Sequence, residues 1–252
     1  MALISLSRKS GSGMSRGGEV DRLYTLLADL QRRVGGPRLL RACEGRMLWP
    51  ERGVYFFFQE GELREDGRTP RVVRVGTHGL SAGSKTKLWN RLSQHRGSTR
   101  TGGGNHRGSI FRLHVGIAML HDQPDDFLAA RATWGRGSSA DHATRVSEEL
   151  LESAVSRYIG AMSLLWVKIG DEPGPQSRRQ VVESNLIALL SNAQKAAIDP
   201  PSSTWLGHHS DRAAIRDSGL WNVNHVYEPY RPEGLDLLES HIDSLDFGSS
   251  GN

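Results

Sequence analysis

A single cysteine, Cys43, among 252 residues excludes an intrachain disulfide and any cysteine-rich zinc site. That usage fits a reducing compartment, and a cytoplasmic location is the expectation. No run approaches the roughly 18 uncharged apolar residues that a membrane-spanning helix needs. At the start of the chain, the apolar stretch 2–6 is too short for the core of a secretion signal, and its charges, Arg8 and Lys9, follow it. Residues 1–18 therefore read as a flexible tail. Hydrophobic residues supply only 37%, but 29 glycines accompany them, and the sum is that of an ordinary globular protein.

Acidic residues are missing from one segment altogether. From Lys85 to Arg112 there is no Asp or Glu, while Lys85, Lys87, Arg91, Arg96, Arg100, Arg107 and Arg112 are basic and His95 and His106 lie among them. The whole chain carries a formal charge of +4 and has a pI near 9.4. Such a one-sign stretch, rich in glycines that let backbone approach a ligand, attracts phosphates; a solvated basic loop is the equal alternative on charge alone. Two other constellations carry less. Adjacent His208 and His209 point their rings apart and have no ligand cluster around them, and the glycine-rich residues 11–17 follow no strand, which excludes a dinucleotide fingerprint.

Periodicity divides the chain. Leu23, Leu26, Leu27 and Leu30 recur at helical spacing within residues 20–34, and Gly35, Gly36 and Pro37 stop that helix. Residues 53–58 and 71–77 are β-branched and aromatic, and read as a hairpin with an acidic, exposed connection over 59–70. Residues 87–95 form a short helix with Leu88 and Leu92 on one face and Arg91 and His95 on another. A glycine-rich loop follows, then an apolar segment, 110–120, of undecided type. An amphipathic helix is expected over 146–159, a buried strand over 162–169, a helix throughout 177–197, an ordered extension over 200–232 and a last helix over 235–245.

Gly53-Val54-Tyr55 and Arg74-Val75-Gly76, followed by a helix carrying Arg91 and His95 one turn apart, a third strand, and a helix bearing Glu183, resemble in order the GIY-YIG nuclease superfamily, its restriction-endonuclease-like branch in particular. The runs Gly103-Gly104-Asn105-His106-Arg107-Gly108-Ser109 and Ser218-Gly219-Leu220-Trp221-Asn222-Val223-Asn224-His225-Val226 are similar to those of uncharacterised bacterial members. The resemblance implies an α+β fold in which a small three-stranded, mostly antiparallel sheet is flanked by helices and carries a large helical or loop insertion. It implies this division: a tail to residue 18, an N-terminal helix region at 19–45, the nuclease domain at 46–199 with an insertion at about 96–159, an extension at 200–246 and a tail at 247–252.

The activity implied is metal-dependent hydrolysis of DNA phosphodiester bonds. Glu183 would hold Mg²⁺, or another divalent cation such as Mn²⁺, which keeps several waters and accepts one or two carboxylates beside a substrate phosphate. Arg91 would clamp the scissile phosphate. Tyr55 would take the proton from water, which requires positive charge from Arg74, Arg91 or His95 to depress a phenol pKa near 10. Asn192 stands for the family's terminal Asn although it comes early, with Asn222 and Asn224 as rivals. Arg74 replaces the second signature tyrosine and, always protonated, cannot accept a proton. Lys85, Lys87, Arg96, Asn105, His106, Arg107 and Asn222 are the expected contacts to duplex or branched DNA; no membrane partner is expected and a homodimer is left open. Two further readings stand beside this one: a DNA-binding module whose nuclease site has decayed, and an interaction protein that uses the basic stretch on acidic partners.

Overall fold

In the computed structural model of the chain, residues 14–245 are described. Four strands form one antiparallel sheet: β1 (Arg38–Leu39), β2 (Gly53–Leu63), β3 (Pro70–Gly76) and β4 (Ser163–Lys168), in the order β1-β4-β2-β3. The helices are α1 (Arg16–Val34), α2 (Leu88–Arg96), α3 (Ile110–Asp122), α4 (Leu128–Arg131), α5 (His142–Gly160), α6 (Arg178–Leu190), α7 (Ala213–Ser218) and α8 (Glu233–Asp243). None is long and apolar enough to cross a membrane.

Helices cover both faces of the sheet, which is why β2 is apolar at successive positions instead of alternating. Val54, Phe56 and Phe58 pack with α1, α6 and α8, through Leu23, Leu27, Val182, Leu186 and Leu238. Tyr55 and Phe57 point the other way, into Leu88 and Leu92 of α2, Phe111 and Val115 of α3, and Leu151 and Val155 of α5. The undecided segment 110–120 is thus a helix that covers this second face. Ser109 caps it, its Oγ accepting the N–H of Arg112.

One irregularity in β3 decides what that strand presents. Phe57 lies opposite Arg74 and Phe58 opposite Val72, so Val73 is an extra residue, a β-bulge. The bulge turns Val73 and Arg74 toward the same face: Val73 joins the cluster with Tyr55, and the Arg74 guanidinium sits 4.7 Å from the Phe111 ring centre.

β3 is also an edge strand, whose open hydrogen-bonding groups need cover. The extension supplies it. Trp221 N–H donates to Val73 O at 2.8 Å, and the Asn222 amide spans Val75, receiving its N–H at 3.2 Å and donating to its carbonyl at 2.8 Å. Arg71 donates to Gly219 O at 2.7 Å.

Several expectations are corrected. The sheet has four strands, since residues 38–39 pair with Leu164 and Ser163. Strand β2 runs on to Leu63, so the hairpin turn is only 64–69, and Glu62, within the supposedly exposed connection, is buried against Arg71 at 2.5 Å. Helix α6 ends at Leu190, short of 197, because Ser191 turns extended and gives its hydroxyl to Val226 O at 2.6 Å. At the other end, α1 begins at Arg16, inside the expected tail; its guanidinium donates to Leu189 O and Ser191 O. Residues 1–13 of the expected N-terminal tail, and the expected tail at 247–252, lie outside the described residues.

Asn222→Ala strands the buried N–H and C=O of Val75. It should lower stability by about 1–3 kcal/mol, seen as a lower urea midpoint at unchanged slope; an unchanged midpoint would show that this clamp is dispensable.

Candidate functional site

The site grows from the facing ends of β2 and β3. Tyr55 lies opposite Gly76, and a Cβ on Gly76 would fall 2.4 Å from the phenol Cζ and Oη. Only glycine leaves room for the ring. The phenol is fully buried, and its hydroxyl is 2.9 Å from His95 Nε2. His95 Nδ1 is in turn 2.8 Å from Ser109 Oγ, so Tyr55, His95 and Ser109 form a continuous hydrogen-bonded chain.

His95 does not stand with Arg91 on a separate polar face. It shares the buried face of α2 with Leu88 and Leu92. Burial drives its pKa well below 6.5, and the charges of Arg74, Arg91 and Arg112 push in the same direction. The imidazole is neutral, so the expectation that it supplies positive charge to the phenol is corrected.

Two guanidiniums remain for that role. Arg74 is buried beside Tyr55; its Nη1 is held by the Trp221 carbonyl, and its Nε is buried with no partner. Burial lowers its pKa from 12.5, while the neighbouring Tyr55 and Glu183 oppose that shift. Arg91 is only half-buried and weakly held, donating at 3.3 Å to Gln94 Oε1 and at 3.4 Å to Gly108 O. It can swing.

Glu183 reaches the same place from α6. Its Oε1 accepts the N–H of Thr77, the residue after Gly76, at 3.0 Å, and its Oε2 has no hydrogen-bond partner. Burial raises its pKa above 4.5, against the pull of Arg74, the Thr77 N–H, His225 and Arg91. Tyr55, Arg74, Arg91, His95 and Glu183 therefore gather at one end of β3. Among the described residues no group of three or more His, Cys, Asp or Glu is placed to hold a metal ion. A carboxylate oxygen that accepts no hydrogen bond can serve as one ligand of a hard cation that completes its shell with water and an anionic substrate.

Other candidates lie elsewhere or are committed. Asn192 closes the turn after α6, bonding Arg16 at 3.1 Å and both N–H and C=O of Ile198. Asn222 is spent on Val75. Asn224 is exposed. Within the basic stretch, Arg96 donates to Cys43 O and lies over Trp89, His106 stacks on Trp134 and bonds Glu152, and Arg107 forms a two-pronged pair with Glu148 at 2.6 and 2.9 Å. Asn105 caps the short turn His106–Gly108. The glycines there do not wait for a phosphate: a Cβ on Gly104 would fall 2.1 Å from the Arg112 guanidinium, so the loop wraps a buried arginine. Lys85 is exposed and unpaired, and Lys87 is paired with Glu51 at 2.9 Å. Sequence reasoning missed Ser109, the Thr77 N–H, the Trp221 carbonyl and His225. Only Ser109 had a readable signal, a serine just before an apolar run.

A family model of the GIY-YIG domain matches residues 14–247. The chain belongs to the GIY-YIG family. No curated protein and no solved structure matches it. GIY-YIG is a nuclease domain, and the span matched takes in the segments that carry Ser109, Trp221 and His225.

Buried histidines set an acid limit for this GIY-YIG protein. His78 and His114 are each pushed by burial to about 4, and His95 is lowered too. Bases with depressed folded pKa values take up protons on unfolding, so stability is full above about 6.5 and falls as pH drops toward 4. Urea midpoints should decline over that window, less steeply in His114→Asn; midpoints flat from pH 7 to pH 5 would contradict the burial of neutral rings.

Proposed function

We propose that this GIY-YIG protein is a Mg²⁺-dependent endonuclease that hydrolyses DNA phosphodiester bonds between Tyr55, Arg91 and Glu183. The observation that carries it is the meeting at one strand end of a phenol on β2, a loosely held guanidinium on α2 and a carboxylate on α6 with one free oxygen. Glu183 Oε2 would hold the divalent ion. Such an ion polarises the phosphate and lowers the pKa of a water.

The chain's own groups divide the remaining work. Arg91 binds the non-bridging oxygens of the scissile phosphate, where charge grows in the transition state. Tyr55 first releases its own proton to solvent; the water oxygen then bonds to phosphorus, its proton passes to the Tyr55 phenolate oxygen, and the sugar oxygen leaves and takes a proton from solvent. Arg74, fixed by Trp221, stabilises the phenolate form of Tyr55 and does not itself move a proton. Neutral His95, oriented by Ser109, holds the phenol at one angle. Because Tyr55 is fully buried, substrate entry must open a path to its oxygen, and Arg91 is the weakly tethered side chain that can yield. Exposed Lys85 and Arg100 flank α2 and would meet the DNA backbone.

The buried phenol and Arg74 in the second signature favour one other reading, a module that binds DNA without cutting it. Supercoiled plasmid with Mg²⁺ separates the two. Nicking or linearisation by the wild type, lost in Glu183→Ala and reduced about 10²–10³-fold in Arg91→Ala, supports the nuclease; salt-dependent binding without cleavage supports the module. Cleavage that persists in Glu183→Ala contradicts the site assigned.

A further inference from the structure

Helix α6 grips the loop after β3 at two points, and Glu183 is only one of them. Arg179, one turn earlier on the same face of the helix, donates from Nη1 to the carbonyl of His78. Glu183 Oε1 accepts the N–H of Thr77 at 3.0 Å. Two adjacent residues of backbone are thus held by two side chains four apart on α6. Their own side chains are tied to the start of β2: Thr77 Oγ1 donates to Gly53 O at 2.8 Å, and His78 Nε2 donates to Glu51 O at 3.1 Å. The Glu51 carbonyl also accepts the first N–H of α2, that of Leu88, at 2.9 Å. Residues 77–78 therefore connect the helix of Glu183 with the strand of Tyr55 and the helix of Arg91.

Arg179 is the fixed point of this arrangement. It is fully buried; its Nε donates to Asp171 Oδ1 at 2.5 Å, and Asp171 Oδ2 accepts the hydroxyl of Ser177, the N-cap of α6, at 2.6 Å. The Asp171 carbonyl accepts Arg52 Nη1 at 2.6 Å, which ties this loop to the start of β2 as well. Burying a guanidinium is a poor way to gain stability: the pair with Asp171 must first offset its desolvation, and Nη2 stays buried with no partner. An apolar side chain would fill the space at less cost. What the planar fork adds is direction, since one arm meets a carboxylate while another meets a carbonyl at a set angle.

We propose that Arg179 is a positioning residue for Glu183: braced on Asp171, it holds the His78 carbonyl and so keeps the Thr77 N–H where it fixes the carboxylate. It acts through Glu183 and not on the substrate. This deepens the nuclease reading above and rests on the part given there to Glu183. Without the brace residues 77–78 can shift, and a misplacement of about 1 Å at a reacting group is enough to cost about 10²-fold in rate.

Amide hydrogen exchange of the full-length protein, followed residue by residue by NMR, reads the brace without any turnover. Arg179→Met fills the space without the fork, and Arg179→Lys keeps a point charge that can serve one of the two partners. Thr77 should exchange about 10-fold or more faster in Arg179→Met, beyond any change at Val75, whose N–H is held by Asn222 two residues earlier. Arg179→Lys should lie between, and it carries the same test if Arg179→Met does not fold. An equal loss at Thr77 and Val75 marks a merely destabilised fold and would overturn the proposal. In plasmid cleavage with Mg²⁺, kcat should fall about 10- to 10²-fold in Arg179→Met at unchanged KM for DNA, with partial recovery in Arg179→Lys; a raised KM at unchanged kcat would also overturn it. Glu183→Ala separates the two possible failures. If it frees Thr77 yet leaves cleavage intact, the nuclease role of Glu183 fails and this proposal falls with it. If cleavage needs Glu183 but Thr77 keeps its protection in both Arg179 variants, the nuclease reading stands and only this proposal falls.

Discussion

Everything at the site hangs on the backbone of β3 between Val73 and Thr77. Gly76 has no side chain, and the Tyr55 ring fills that space; a single methyl there would overlap the phenol. The next N–H, that of Thr77, fixes the Glu183 carboxylate. Two residues before Gly76, the bulge turns Arg74 to the Tyr55 face. Five consecutive residues thereby set the position of the Arg74 guanidinium relative to a phenol and a carboxylate that come from two other places in the chain.

The basic stretch has a different part from the one its composition suggests. Arg112 is fully buried and binds Glu152 through Nε at 3.1 Å and the His95 carbonyl at 3.0 Å; Arg107 binds Glu148. Buried ion pairs are costly to desolvate and are weak evidence of net stability, but breaking one partner is expensive, so they hold a loop in one geometry. Here they hold residues 97–109, and Ser109 arrives at His95 as the result. Charge that reads as a phosphate attractor in the sequence is largely consumed in building the wall behind Tyr55.

The main elements were legible because their causes are local. Leucines at helical spacing announced α1 and α6, and the aromatic run at 53–58 announced β2. Tyr55, Arg91, His95 and Glu183 could be picked out through family order, and the fold brings them together. What could not be read depends on distant partners. No periodicity shows that Asn222 would clamp Val75, that Asn192 would be used by Arg16 and Ile198, or that His95 would be neutral among three arginines. Helix α6 overran in the reading because residues 191–197 are compatible with a helix; Val226 and Ser218, far along the chain, draw Ser191 and Asn192 out of it.

The most direct test of a shared cleft is a crystal of the protein with Mn²⁺ and an oligonucleotide carrying a cleavage-resistant phosphorothioate. The account predicts an anomalous peak about 2.1 Å from the Glu183 carboxylate, with the phosphate between it and Arg91 and the phenol of Tyr55 on the attacking side. An ion bound away from Glu183, or the sugar-phosphate strand lying across a different face, would contradict it.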